Sequence, residues 1–148
     1  MLSRCISYAW SGALIIVLTI SVASARQSDK ALTRLLVGAW TFDREHPADE
    51  WERKAFELGI LSITRYNVDG SGVTDVYRGA LCSSHLNHYE FHWKIENGVL
   101  IASDHKRTLR DRIIEITYAR AKFVSLDESN PAEEYRLRLN GEGCQQEG

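Results

Sequence analysis

From Leu61 to Ala80 the chain reads LSITRYNVDGSGVTDVYRGA, and this stretch narrows the fold more than any other. Two runs rich in Ile, Val, Thr and Tyr flank Asp69-Gly70-Ser71-Gly72, where glycines are expected to supply the positive φ values of a tight antiparallel reversal. Such a hairpin sets the register of both its strands, so the rest of the chain is read as elements arranged around it.

The β pattern continues downstream. His88 to Ile95 alternates strictly, with Tyr89, Phe91, Trp93 and Ile95 on one face and His88, Glu90, His92 and Lys94 on the other. Glu96-Asn97-Gly98 then turns the chain into Val99 to Ala102, a hairpin with Asn-Gly at its tip. Residues 112–118, 121–126 and 135–139 supply further strands, with Asp127 to Pro131 as a turn, and Cys82 to Asn87 and Asp104 to Asp111 read as loops.

Upstream, Ser28 is placed to cap a short helix through Lys30 to Leu36, with Gly38 as its stop and Gly38 to Phe42 as a first strand. A second helix is expected over 47–58, from Pro47 and the acids near its start to Gly59 after its end. The sum is about eight strands on short connections. An all-β fold follows, an antiparallel up-and-down barrel of about eight strands, closed so that no edge is left unpaired.

Compartment is read from the N-terminus. Arg4 precedes an uncharged stretch with an apolar centre at Ala13 to Ile20 and a small-x-small end at Ala23-Ser24-Ala25. This is the build of a secretory signal peptide, with cleavage expected before Arg26; the competing reading is an uncleaved membrane anchor. Residues 26–148 then form one domain, periplasmic or secreted. The leader takes one of the 18 basic residues and none of the 20 acidic ones. A mature chain that is mildly acidic gives no reason to expect nucleic acid. Two cysteines remain, Cys82 and Cys144, and in an exported chain they suggest one disulfide; the alternatives are free thiols or a bond from Cys144 to another chain.

Gly38-Ala39-Trp40, on the first strand after a short helix, resembles the Gly-x-Trp signature of lipocalins. Tyr66 to Gly72, Phe91 to Leu100 and the strand pair from Ile113 to Leu126 look like the small lipocalin-like proteins that bacteria export, a group within the calycin-type barrels. The resemblance implies that Trp40 closes one end of the barrel and that an Arg on the last strand, Arg138 or Arg136, packs across it by a cation–π contact. These roles are structural.

Candidates for chemistry are few. His88, Glu90 and His92 share a strand face, with Cys82 and His85 just upstream, and imidazole with carboxylate suits zinc or copper. Strand residues four apart stand roughly 13 Å from one another, so only His88 with Glu90, or Glu90 with His92, chelates directly, and a third ligand has to come from a neighbouring strand. A polar strand face is the preferred reading, with no metal or other cofactor assigned. Cys82 and His85 as thiol and base would be silenced by a disulfide, and no Gly-x-Ser-x-Gly, His-Glu-x-x-His or phosphate-cradling loop occurs. Asp104-His105 and the cations Lys106, Arg107, Arg110 and Arg112 read as a solvated loop.

The expectation is therefore an exported, non-enzymatic binding module for a small apolar ligand, with Tyr66, Tyr77, Tyr89, Phe91 and Trp93 as ligand-binding candidates. The alternative is a periplasmic inhibitor or immunity-type factor that meets an envelope protein through Cys82 to Asn87 and Lys106 to Arg112. A hydrolase or metal enzyme built on His85, His88, Glu90 and His92 ranks last.

Overall fold

The computed structural model describes residues 27–79, 82–127 and 132–140. The expected leader, the turn at 128–131 and Cys144 lie outside the described residues. Eight strands run in chain order around a closed antiparallel barrel: β1 (Gly38–Phe42), β2 (Ile60–Tyr66), β3 (Ser71–Arg78), β4 (Ser84–Glu96), β5 (Val99–Ser103), β6 (Thr108–Ile116), β7 (Arg120–Ser125) and β8 (Glu133–Arg138). Two helices accompany them, α1 (Asp29–Leu36) before β1 and α2 (Glu50–Glu57) between β1 and β2. Closure is made where β8 returns to β1, at Trp40↔Arg138, Thr41↔Leu137 and Phe42↔Arg136.

The hairpin that organises the chain pairs Tyr66 with Gly72 and Ile60 with Arg78. Its turn is held by Asn67 N–H donating to the Ser71 carbonyl (2.9 Å) and by the Asp69 carboxylate, which accepts from Ser71 N–H (2.9 Å). Of the two turn glycines, Gly70 and Gly72, Gly70 alone has the positive φ expected of both, at +85°. Gly72 lies inside β3 for another reason: a Cβ there would stand 2.3 Å from the Phe91 ring. At the second hairpin Asn97 and Gly98 both take positive φ (+53° and +74°), as an Asn-Gly reversal requires.

Two loop expectations are corrected. Ser84 to Asn87 belongs to β4, which is thirteen residues long and carries a bulge: Val76 pairs with Asn87 but Tyr77 with His85, leaving Leu86 as the extra residue. Thr108 to Asp111 belongs to β6, paired with β5 from Ser103↔Thr108 onward, so the connection shrinks to Asp104 to Arg107. That short turn is closed by the Asp104 carboxylate accepting from Lys106 N–H (2.6 Å) and Arg107 N–H (2.9 Å). As expected, Gly38 follows the end of α1, one residue past its C-cap Val37 and with positive φ (+131°), and opens β1.

Candidate functional site

The barrel interior has a packed floor and an open upper half. The floor is built by Leu32 and Leu36 of α1 with Trp40, Tyr66, Trp93, Leu100, Ile116 and Phe123 from the strands. Trp40 is fully buried, and its Nε1–H donates to the Leu36 carbonyl (2.7 Å). Of the two arginines that the resemblance left open, Arg138 packs across it, with Cζ 4.4 Å from the ring centroid. Arg138 Nη1 also donates to the Val37 carbonyl (2.7 Å) and Nη2 to that of Leu35. A cation thereby satisfies the orphan carbonyls at the negative end of α1. Gly38 is needed for this: its φ is +131°, and a Cβ would fall 2.2 Å from Arg138 Nη1. At its other end α1 holds the second hairpin, since the Asp29 carboxylate accepts from Asn97 N–H (2.8 Å) and Gly98 N–H (2.9 Å).

Above the floor lies a cavity of about 330 Å³. Its walls are Phe42, Thr64, Thr74, Val76, Phe91, Leu100 and Ala102 from the strands, and α2 closes one side with Trp51, Glu52, Ala55 and Phe56. Tyr89, Glu90, Asp104, Arg107 and Leu109 also line it. The cavity falls where α2 sits because Asp49 caps that helix, its carboxylate accepting from Glu52 N–H (2.7 Å), and because Leu58 and Gly59 then lead straight into β2.

One charged group is sunk in this apolar setting. Arg136 projects inward from β8, its guanidinium 5.4 Å from the Phe42 centroid and 5.1 Å from that of Phe123. Nε is ion-paired with Glu134, and Nη1 donates to the Tyr66 hydroxyl (2.6 Å). Burial disfavours the cation, but Glu134 and Tyr66 beside it outweigh that loss and keep Arg136 charged. Burial pushes the Tyr66 phenol up, so it stays neutral. Across the cavity Glu52 is only 7% exposed. One oxygen accepts from Ala48 N–H (2.6 Å); the other has no hydrogen-bond partner among the described residues. Burial first, with Glu134 and Asp49 adding to it, raises its carboxyl above the usual range.

Of the five aromatic candidates, Tyr66, Tyr89 and Phe91 line the cavity. Trp93 does not. It sits one step deeper in the floor, where its Nε1–H donates to the Ser71 carbonyl (2.8 Å) and its ring meets Tyr66 edge-on. Tyr77 does not either. It alternates with Thr74 and Val76, so it faces outward and packs against His85, centroids 5.1 Å apart. Glu52 was not singled out from the sequence; Arg136 was named only as the alternative to Arg138 over Trp40, and the helix over 47–58 was expected without a place at a cavity. Among the histidines, His85 and His88 come together around Asp75 on the outer face, while His92 stands apart, paired with Ser71. The expected cationic loop is dispersed: Arg110 and Arg112 lie on β6, and Arg110 forms a forked pair with Asp127 (2.9 and 2.8 Å). Comparison of the chain with family models, with curated proteins and with solved structures returns no match.

Proposed function

We propose that this barrel is an exported, lipocalin-like binding module that takes one small, mostly apolar molecule with a polar end, and performs no chemistry on it. The carrying observation is the cavity: its volume lies at the low end of the roughly 300–1,000 Å³ of small-molecule sites, and apolar walls converge with a few polar groups, the pattern such sites share. The aromatic and aliphatic walls suit the ligand's body. Its polar end is received between the Arg136–Tyr66 pair and the open oxygen of Glu52. The Gly38-Ala39-Trp40 signature with Arg138 across it supports the lipocalin-like assignment. Export, removal of residues 1–25 and a Cys82–Cys144 bond belong to the same proposal, supported by the leader-like N-terminus.

The test uses the neutral apolar dye N-phenyl-1-naphthylamine. Saturable fluorescence enhancement at one dye per chain is expected, abolished in Ala102→Trp, which fills the cavity, with the thermal transition retained. Unsaturable binding, or binding indifferent to Ala102→Trp, rejects the reading. A second reading, a protein partner at the barrel mouth, draws on Trp51 and Leu58, which stand 72% and 65% exposed on and just after α2. It predicts partner capture from an envelope extract by the wild type and not by Leu58→Asp, a position outside the cavity lining, with dye binding unchanged.

A further inference from the structure

The outer face of the barrel carries a group of three side chains, Asp75, His85 and His88, none of which lines the cavity. In a regular strand His85 and His88, three apart, would point to opposite sides of the sheet. The bulge at Leu86 resets that alternation, so both imidazoles emerge on the outer face beside Asp75 of β3, which is the register partner of His88. Asp75 is 8% exposed, while both imidazole side chains are about half exposed. A single oxygen of Asp75, Oδ1, faces His88 Nδ1 at 2.8 Å and His85 Nε2 at 3.0 Å, and the three atoms lie within 4.8 Å of one another.

Each of these side chains is also oriented from behind. Asp75 Oδ2 accepts from Arg65 Nη1 (2.9 Å) on β2, which turns Oδ1 toward the histidines. His88 presents Nδ1 to the cluster while its Nε2 faces Glu90 Oε1 at 3.4 Å. The Tyr77 ring lies against that of His85. Carboxylate support on the far nitrogen of an imidazole is the arrangement that fixes the tautomer of metal-binding histidines.

We propose that Asp75, His85 and His88 form a binding site for one divalent transition ion, zinc by first preference. Two imidazole nitrogens and one carboxylate oxygen make the three-ligand set that leaves the fourth tetrahedral position to water; calcium and magnesium would demand more oxygens. Ligand atoms around zinc at about 2.0–2.1 Å are separated by roughly 3.3 Å. The observed gaps of 2.8 and 3.0 Å need to open by only a few tenths of an ångström, which half-exposed rings on rotatable stems permit. None of the three proposed ligands lines the cavity; Glu90, behind His88, is the residue the two places share.

The test is calorimetric titration of the tag-free, full chain with zinc chloride, with thermal unfolding as a second readout. One zinc per chain is expected, with a rise in the transition temperature that a chelator reverses. His85→Ala and His88→Ala should each weaken binding by about tenfold or more and abolish that rise. His92→Ala, on the same strand face, and His46→Ala, in the separate Asp43-Glu45-His46 group, should leave both unchanged. Absent binding, or binding that survives His85→Ala and His88→Ala, overturns the proposal, as does loss in His46→Ala. Because both histidines are half exposed, their variants stay folded, and far-ultraviolet dichroism checks this.

Discussion

Arg138 joins three elements with one side chain: it lies on the Trp40 ring, caps the last carbonyls of α1 and occupies the space that Gly38 leaves. Arg138→Met keeps much of the stem but loses the cation–π contact and leaves the Leu35 and Val37 carbonyls unpaired. A loss on the order of 3 kcal/mol is expected in denaturant unfolding. Gly72→Ala drives a methyl into the Phe91 ring at the cavity wall and should cost about 1–3 kcal/mol, with dye affinity reduced as Phe91 is pushed inward. Glu52 sets a pH dependence. Burial raises its folded pKa above the ordinary 4.5, so the folded chain holds this proton more tightly than the unfolded chain. The contribution is fully present below pH 4.5 and is lost as pH rises through the raised value. Glu52→Gln should therefore show a thermal transition that falls less than the wild type's on titration upward from pH 4.5, read by calorimetry.

At the scale of elements, α2 is the piece on which the cavity depends and the one most weakly specified. Asp49 is its cap, and Asp49→Ala should remove about 0.5–2 kcal/mol of helix stability and speed dye release in stopped-flow mixing, while the barrel's strand signal persists. The sequence made α2 visible through its acids and Gly59, yet its place over the cavity depends on contacts with β2 and on how the barrel mouth lies, which no local pattern encodes. The same division holds elsewhere. Tyr89 to Ile95 was legible because a strand with one buried face repeats every two residues, and the Asn97-Gly98 tip because few residue pairs tolerate two positive φ values. The Leu86 bulge was not legible, because it is defined by which residues of β3 stand opposite. Nor was the cavity role of Arg136, which the resemblance offered only as an alternative to Arg138 over Trp40, because its burial there becomes tolerable only with Glu134 and Tyr66 beside it.

For the whole molecule, the closed eight-stranded barrel with two short helices agrees with the architecture read from the chain, and its cavity makes stability a reporter of occupancy. A ligand at about 100 times its dissociation constant should add roughly 2.7 kcal/mol to unfolding, a shift that Ala102→Trp would cancel. The ring is completed only where β1 meets β8, and the bonds that lock that meeting, from Arg138 to Leu35 and Val37, join residues more than a hundred positions apart. A nascent chain can form each successive hairpin as it emerges, but it cannot seal its hydrophobic base until its final strand arrives. Assembly should therefore belong to the slow, millisecond-to-second class of non-local β topologies, leaving an interval in which the half-wound sheet offers two raw margins to its neighbours.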